Sequence, residues 1–270
     1  MKLVLETDDV DVNPAVRPDP RNWSVVIPAA GKGSRLGFSL PKILYPIGEE
    51  TILDRLLTTF QSLAHHIVLV ISPSGRKPIE QHLRARGRSQ DVSLAVQDEP
   101  KGMAHAVLCA QAYVSTPSTV VVWGDQATVS ERTARLCMNA HEARINALLT
   151  FPTVMRADPY IHVQRDGHER IVKILQKREG EISASIGEND CGIFMFDTQH
   201  LFRILKEQEV LNDKGAKTGE YNLIPLLPLF DDGRGSTQTL RVAEQHETLG
   251  VNTPEEGQQV DSVLSPIVRR

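Results

Sequence analysis

Over the first half of the chain, short apolar runs rich in β-branched residues alternate with segments whose apolar residues recur at helical spacing. The runs predict strands at Trp23–Pro28, Ile67–Ser72, Val92–Val96, Thr119–Trp123 and Ala147–Phe151. The segments between them predict helices at Ile52–Leu63, Pro78–Arg86, Ala104–Tyr113 and Glu131–His141. Strands that alternate with helices favour a mainly parallel sheet with helices on both faces, which is an α/β fold.

The pattern changes beyond about residue 155. Strands predicted at Ile161–Gln164, Arg170–Gln176 and Asp190–Phe196 have little helix between them, which indicates a smaller β-rich lid. The remaining elements that the pattern predicts are helices at Leu201–Glu207 and Glu220–Leu229 and a late strand at Thr239–Val242.

The two ends of the chain differ in composition from the part between them. Residues 1–22 are acidic and rich in proline, which predicts an extended arm with a short strand at Lys2–Leu5. Residues 256–270 are expected to form a C-terminal tail that ends in basic residues. We therefore expect one domain over residues 23–255, with a first half at about 23–150 and a second half at about 151–255.

Composition narrows the class of protein only slightly. The 270 residues are 40% hydrophobic and 24% charged, as in an ordinary globular protein, and the net charge of -4 gives no reason to expect nucleic acid or a membrane as partner. Three scattered cysteines lack metal-ligand spacing and favour a reducing compartment. With no apolar run of membrane-spanning length and no signal-peptide pattern, we expect a cytoplasmic protein.

The first predicted strand runs into a loop rich in glycine and cations. Residues 29–37 read Ala-Ala-Gly-Lys-Gly-Ser-Arg-Leu-Gly, and Pro41 and Lys42 follow. Glycine lets backbone N–H groups approach a ligand closely, and Lys32, Arg35 and Lys42 add positive charge, so the loop is suited to a polyphosphate. Its glycine spacing matches neither a Walker A loop nor the G-x-G-x-x-G dinucleotide pattern. Taken alone, the glycines could also form a simple turn between strand and helix.

The whole string resembles the signature of sugar-1-phosphate nucleotidyltransferases, roughly L-A-A-G-x-G-T/S-R-L/M…P-K, with Pro28 where leucine is common. The resemblance implies a Rossmann-like nucleotidyltransferase fold, whose first half binds the nucleotide and whose lid binds the sugar. It implies catalytic roles for Arg35 and Lys42. It also implies nucleotide contacts from the loop residues Ala29, Ala30, Gly31, Lys32 and Gly33.

A second match follows the predicted strand Val92–Val96. Gln97, then Gly102 and a helix that begins near His105, resemble the base-recognition segment of uridylyl-transferring members. The resemblance implies that Gln97 and Gly102 contact the base, and an amide can both donate to and accept from a pyrimidine edge. Met103 stands where threonine or leucine is common, which leaves thymine, cytosine and guanine open beside uracil.

Two further motifs match the metal ligands of the family. The apolar strand that runs to Trp123 ends in Gly124-Asp125, and a carboxylate at a strand end is a natural Mg²⁺ ligand beside phosphates. Asn252 lies in a Gly-Val-Asn motif late in the chain, where the family places its second protein ligand. An Asn-Thr-Pro segment is equally typical of a turn. The resemblance therefore implies Mg²⁺ as the cofactor, held by Asp125 and Asn252.

The sugar side departs further from the family pattern. Lys177 lies in Gln-Lys-Arg where many members have Glu-Lys-Pro, and Asp190 replaces an asparagine that binds sugar hydroxyls. Glu220 matches a glutamate that stays close to the sugar. The resemblance implies sugar-phosphate contacts for these three residues, while the charges could also belong to a solvated face of the lid.

These observations lead to one functional hypothesis and two alternatives. A nucleoside triphosphate, with UTP expected, condenses with a sugar-1-phosphate to give a nucleotide-sugar and pyrophosphate. A cytidylyltransferase acting on a phospho-alcohol would use the same loop with another acceptor pocket. A non-catalytic nucleotide-binding regulator would not need Lys42, Asp125 and Asn252 together. The sequence leaves the oligomeric state and the identity of the sugar open.

Overall fold

The computed structural model of the chain describes residues 2–31, 33–211 and 214–268. In chain order the strands are β1 (Val4–Glu6), β2 (Trp23–Pro28), β3 (Pro46–Ile47), β4 (Glu50–Thr51), β5 (His66–Ile71), β6 (Val92–Val96), β7 (Ser118–Val122), β8 (Leu149–Ala157), β9 (Ile161–Arg165), β10 (Ile171–Gln176), β11 (Ile186–Asp190), β12 (Ile193–Asp197) and β13 (Thr237–Arg241). The α-helices are α1 (Ile52–Phe60), α2 (Arg76–Ala85), α3 (Met103–Cys109), α4 (Glu131–Ala143), α5 (Thr198–Leu211) and α6 (Pro254–Val268).

One large sheet organises these elements, in the order β1-β13-β8-β12-β7-β2-β5-β6. Strand β2 is parallel to both β5 and β7, β5 is parallel to β6, and β13 is parallel to β8 and β1. Strand β12 runs antiparallel to β7 and β8. The predicted α/β fold with a mainly parallel sheet is therefore confirmed.

Alternation along β2 separates the core into two layers. Val25 and Ile27 pack into a cluster with α1, α2 and α4, whereas Val26, on the opposite face of the same strand, packs with α3 and α5. All three side chains are fully buried. Helices therefore cover both faces of the sheet, as the sequence pattern predicts.

The lid is built on the long strand β8, whose outer part pairs with β11, while β9 and β10 form a separate antiparallel hairpin. The prediction of one strand over Asp190–Phe196 is wrong, because the chain bends between β11 and β12. Gly192 has a φ of 69°, and its N–H donates to Asp190 Oδ1 at 2.6 Å. The bend allows β11 to pair with β8 and β12 to pair with β7.

Two predictions near the C-terminus also need correction. The helix predicted at Glu220–Leu229 is a 3₁₀ helix at Ile224–Phe230. Pro225 and Pro228, inside this segment, lack the N–H that an α-helix would use. Residues 256–270, expected as a tail, belong largely to α6, which buries Val260 and Leu264 one turn apart. The last two residues of the predicted basic tail, Arg269 and Arg270, lie outside the described residues.

The predicted N-terminal arm is part of the sheet. Strand β1 overlaps the strand expected at Lys2–Leu5 and pairs in parallel with β13, with Val4 opposite Thr239. Further along, Arg135 of α4 donates to the backbone oxygens of Asn13 and Val16, both at 2.9 Å. The arm therefore covers one edge of the sheet and one side of α4. None of the helices in the described part of the chain is long and apolar enough to cross a membrane.

Candidate functional site

The loops that follow β2, β6 and β7 meet in one cleft at the carboxyl ends of these strands, where ligands of open α/β sheets bind. We call it the loop cleft. Its lining includes Ala29, Ala30, Gly31, Lys42, Gln97, Gly102, Met103, Asp125, Arg178 and Glu220. A neighbouring lid cleft lies under β10 and β11. Its lining includes Met103, Trp123, Asp125, Arg156, Tyr160, Gln176, Arg178, Asn189, Asp190, Asn252 and Glu256.

Two glycines allow the glycine-rich loop to lie close to its neighbours. Gly33 has a φ of 59°, and a Cβ there would come within 2.9 Å of Lys42 Cβ. A Cβ at Gly124 would lie 2.6 Å from the carbonyl oxygen of Pro28, so this glycine lets the ends of β7 and β2 approach each other. Lys32, which the motif places among the nucleotide contacts, lies outside the described residues.

Lys42 joins the two predicted metal ligands. Its Nζ donates to Asp125 Oδ2 at 2.7 Å and to Asn252 Oδ1 at 2.8 Å. The N–H of Val251 donates to the backbone oxygen of Asp125 at 3.1 Å, which holds the Asn252 segment beside β7. Glu256 accepts from the backbone N–H of Asn252 at 2.6 Å and fixes that residue at the start of α6. Three residues from distant parts of the chain thus form one polar cluster.

This cluster is suited to a divalent cation. The carboxylate of Asp125 and the amide oxygen of Asn252 already converge on one positive charge, the Lys42 ammonium. Among the described residues there is no group of three or more His, Cys, Asp or Glu side chains that could hold a metal by itself. A pair of oxygen ligands is the usual protein share for Mg²⁺, which takes its other ligands from water and substrate phosphates.

Gln97 is buried at the floor of the loop cleft, with 5% of its surface exposed. Its Nε2 donates to the carbonyl oxygen of Gly102 at 3.0 Å and lies 2.9 Å from His105 Nδ1. Because a carbonyl oxygen can only accept, the orientation of the amide is fixed. When His105 carries its proton on Nε2, its Nδ1 accepts the second amide hydrogen, and the side-chain oxygen of Gln97 is the group left to meet a ligand. His105 is therefore placed to orient Gln97.

Gly102 ties the base segment to the chain that carries Glu220. It has a φ of 113°, and a Cβ there would lie 2.6 Å from the carbonyl oxygen of Tyr221. The Tyr221 backbone accepts from the N–H of Ala104 at 2.9 Å and donates to Lys101 at 2.8 Å. Close backbone contact at Gly102 thus places Glu220 on the wall of the loop cleft.

Asp190 is the buried acid of the lid cleft. Its Oδ1 accepts from Gly192, whereas its Oδ2 is buried and has no hydrogen-bond partner among the described residues. Burial, together with the negative charge of Asp125, raises the pKa of Asp190 to about 6. A carboxyl group in this state is ready to accept a hydrogen bond from a ligand.

Three of the predicted residues, Gly33, Arg35 and Lys177, line neither cleft. Arg35 is exposed and is not among the described residues that line either cleft. Lys177 donates to Asp158 at 2.6 Å and lies over the ring of Tyr160, outside both linings. Its neighbour Arg178 lines both clefts, although the sequence interpretation assigned it no role. The sequence did indicate that this segment is unusual, because Gln-Lys-Arg stands where many members of the family have Glu-Lys-Pro.

A glycine-rich loop, a lysine and a carboxylate gathered at the carboxyl edge of an α/β sheet define a class of protein that handles nucleoside triphosphates through their phosphates. Residues 25–185 match the model of the MobA-like NTP transferase domain. The chain belongs to this family of nucleotidyltransferases. The predicted membership of a nucleotidyltransferase family is thereby confirmed.

Individual relatives agree with this assignment. The bifunctional protein GlmU of Listeria monocytogenes serovar 1/2a is 30% identical over 237 residues, which are 86% of this chain and 50% of that protein. GlmU of Carboxydothermus hydrogenoformans is 28% identical over 230 residues, which are 84% of this chain and 49% of that protein. The chain thus spans about half the length of the curated relatives it matches.

A solved structure supports the fold. A Bacillus anthracis protein in complex with a sucrose, described as a glucose-1-phosphate thymidylyltransferase, superposes with a TM-score of 0.67 and 18% identity. The match covers 89% of this chain and 94% of the other. At 18% identity, the comparison shows that the two proteins share a fold and nothing more.

Proposed function

We propose that the protein transfers a nucleotidyl group from a nucleoside triphosphate, with UTP expected, to a sugar-1-phosphate, with release of pyrophosphate. The observation that carries the proposal is the Lys42–Asp125–Asn252 cluster, in which Asp125 faces both clefts. The loop cleft would hold the triphosphate and the lid cleft the sugar. The reacting phosphates would then meet beside Asp125.

The chemistry requires positioning and charge stabilisation. An oxygen of the acceptor phosphate attacks the α-phosphorus, a new P–O bond forms, and the bond from the α-phosphorus to the bridging oxygen of pyrophosphate breaks. The attacking phosphate is already an anion at neutral pH, so no side chain has to remove a proton. Lys42 stabilises the negative charge that grows on the α-phosphate, and the N–H groups of the glycine-rich loop bind the leaving phosphates.

Asp125 and Asn252 would hold Mg²⁺ in this scheme. When bound, Mg²⁺ polarises the phosphoryl oxygens and orients both reactants. Lys42 occupies the same two oxygens in the structure, so it would move to the substrate phosphates when the metal binds. Arg35, from its exposed place on the loop, is proposed to reach the outer phosphates of the triphosphate.

The orientation of Gln97 is compatible with uracil or thymine as the base. When Gly102 and His105 accept both amide hydrogens, the Gln97 oxygen needs a donor on the ligand. The N3–H of uracil or thymine supplies one at the ring, whereas cytosine supplies one only through its 4-amino group, because its N3 is an acceptor. The orientation of Gln97 is therefore compatible with UTP, and the comparison of UTP with CTP in the assay below distinguishes the two reactions.

Pyrophosphate release with Mg²⁺ tests the proposal directly. Each nucleoside triphosphate is offered with a panel of sugar-1-phosphates and phospho-alcohols, with and without EDTA. We expect release that depends on UTP, on one sugar phosphate and on the metal. Release only with CTP and a phospho-alcohol would favour the cytidylyltransferase. Nucleotide binding without any release across the panel would support the regulator. A cytoplasmic location and the absence of nucleic-acid and membrane partners stay predictions of the sequence.

A further inference from the structure

The two clefts share part of their walls. Met103, Asp125 and Arg178 line both of them. If the loop cleft holds the nucleotide and the lid cleft the acceptor, the residues that line both clefts flank the place where the two phosphates react. Asp125 is assigned to the metal, and Met103 has no charge. Arg178 is therefore the shared residue whose chemistry suits a phosphate.

Arg178 lies in the 3₁₀ turn Lys177–Glu179 that follows β10, and its side chain is 45% exposed. Its Nε donates to Gln176 Oε1 at 3.2 Å, and Nη1 lies 3.5 Å from Glu220. Nη2 donates to Asn222. Nε also lies 4.0 Å from Glu179 Oε1. The guanidinium is thus held more closely by its neutral partners than by the two carboxylates, which lie at 3.5 and 4.0 Å. A planar guanidinium can bind two phosphate oxygens at once, which an ammonium cannot do.

The other cationic side chains near the junction of the two clefts are hydrogen-bonded to protein groups. Lys42 is engaged by Asp125 and Asn252, and Arg156 of the lid cleft donates to the hydroxyl of Thr248 at 2.9 Å. The lining of the loop cleft also contains the acid Glu220, so a dianionic phosphate needs a compensating cation. Arg178 supplies this cation on the side of the lid.

Lys177 is not placed for this role. Its ammonium forms an ion pair with Asp158 at 2.6 Å on the outer side of the turn, and it lies 5.5 Å from the centre of the Tyr160 ring. Successive residues of the turn point in different directions, so Lys177 and Arg178 cannot both face the junction of the clefts in this conformation.

We propose that Arg178 binds the phosphate of the acceptor at the junction of the two clefts, in place of Lys177. The assignment rests on the proposed function. It makes Arg178 a catalytic residue, since its guanidinium would contact a reacting group. The triphosphate, held by the glycine-rich loop and Gln97, would not depend on it.

Steady-state pyrophosphate release and calorimetric titration of UTP test the assignment on four variants. We expect Arg178→Ala to lower kcat/KM for the acceptor roughly 100-fold, as for the loss of one strong electrostatic donor, with UTP binding unchanged. Arg178→Lys should recover part of the loss because it keeps the charge. Arg170→Ala, an exposed arginine on the same hairpin, is the control and should match the wild type.

The fourth variant separates phosphate binding from a structural tether. Asn222→Ala removes the partner that Arg178 holds but leaves the guanidinium in place. If Arg178 only ties the turn to this segment, Asn222→Ala will reproduce the loss seen with Arg178→Ala, and added guanidinium will not rescue Arg178→Ala. The two results together overturn the assignment, and so does Arg178→Ala activity equal to that of Arg170→Ala. A wild-type protein without activity refutes the proposed function, and the assignment falls with it.

Discussion

At the scale of single residues, the Lys42 ammonium occupies the position that we propose for a metal ion. It donates to Asp125 and Asn252 at 2.7 and 2.8 Å, and its side chain is only 18% exposed. Two cations cannot occupy the same oxygens without strong repulsion. Under the proposed function, Lys42 and a divalent ion would therefore compete for these oxygens, although the reaction would use both.

This competition gives Lys42→Ala two opposite effects. Turnover should fall by about two to three orders of magnitude, because a donor to the developing charge is lost. Binding of Mn²⁺, a substitute for Mg²⁺ that prefers the same oxygen ligands, should stay equal or become tighter. Steady-state kinetics and calorimetric titration with Mn²⁺ measure the two effects. Lys77→Ala, on the exposed face of α2, is the control. Full turnover in Lys42→Ala would contradict the proposed role.

Asp190 makes stability depend on pH. Its pKa is raised from 3.8 to about 6 by burial, so folding favours the protonated form. Its contribution is fully present below pH 3.8 and is lost as the pH rises through 6. Over this range the contribution of Asp190 to the free energy of unfolding should fall by about 3 kcal/mol, at 1.36 kcal/mol for each pKa unit.

Asp190→Asn should remove this cost, since the amide is neutral at every pH and its oxygen can still accept from Gly192. We expect the variant to be more stable than the wild type at pH 8, by about 3 kcal/mol at most. The difference should shrink as the pH falls towards 4. Urea unfolding at the two pH values measures it, with the exposed Asp98→Asn as control. Equal stability at pH 8 would mean that the Asp190 carboxylate is solvated.

At the scale of elements, a buried ion pair joins the hairpin of the lid to the main sheet. Arg165 of β9 contacts Glu188 of β11 at 2.6 Å, and the two side chains are 13% and 7% exposed. Thr153 of β8 also donates to Glu188, at 2.8 Å. Burial acts to raise the pKa of Glu188, but the Arg165 guanidinium outweighs this effect and holds the pKa below its usual value. The pair thus contributes stability that is lost as the pH falls.

Arg165→Ala should destabilise the protein by about 3–5 kcal/mol at pH 7.5, because it leaves the buried Glu188 carboxylate without its paired charge, with only the neutral Thr153 hydroxyl donating to it. Lower pH should reduce this difference, since Glu188 can then be neutral. Arg170→Ala breaks an exposed ion pair on the same hairpin and should have little effect. Urea denaturation of the three proteins at pH 7.5 and 4.5 provides the comparison. A pH-independent loss would show that Arg165 acts through packing alone.

Elements that lie in the core could be predicted from the sequence, because burial requires apolar residues at the spacing of a strand or a helix. Strand β2 was predicted over its full length, Trp23–Pro28, since both of its faces are apolar and Pro28 ends it. The bend at Gly192 was missed because Cys191 and the apolar run that begins at Ile193 look like one continuous strand. Helix α6 was missed because Pro254 and several polar residues hide its apolar stripe, although Thr253 and Glu256 form a capping pair that could have indicated it.

At the scale of the whole molecule, the candidate site depends on contacts that no local pattern contains. Lys42 and Asn252 are 210 positions apart in sequence and 2.8 Å apart in space. The motifs indicated the chemistry of each residue, and the parallel sheet predicted that the loops after β2 and β7 would meet. The positions of Lys177 and Arg178 could not be predicted, because a turn of three residues decides which side chain faces the clefts.

The N-terminal arm is the other long-range feature. It adds β1 beside β13, and Arg135, which is 4% exposed, holds the backbone oxygens of Asn13 and Val16. Strand β1 forms one edge of the sheet, and β13, β8, β12 and β7 lie between it and β2. The arm is therefore far from the loop that follows β2. Its contacts should therefore stabilise the fold without contributing to nucleotide binding.

Deletion of residues 2–16 tests this separation of stability from binding. It exposes the edge of β13 and leaves the buried Arg135 guanidinium without its acceptors, so we expect Tm to fall by roughly 5 °C, as for a loss of about 2 kcal/mol in a domain of this size. Arg17→Ala, which breaks only an exposed ion pair with Glu131, should leave Tm almost unchanged.

Thermal unfolding followed by circular dichroism gives Tm, and calorimetric titration at a temperature where both variants are folded gives the affinity for UTP with Mg²⁺. An affinity that falls together with Tm would mean that the arm supports the loop cleft through the sheet, and an unchanged Tm would mean that β1 contributes nothing to the stability of the fold.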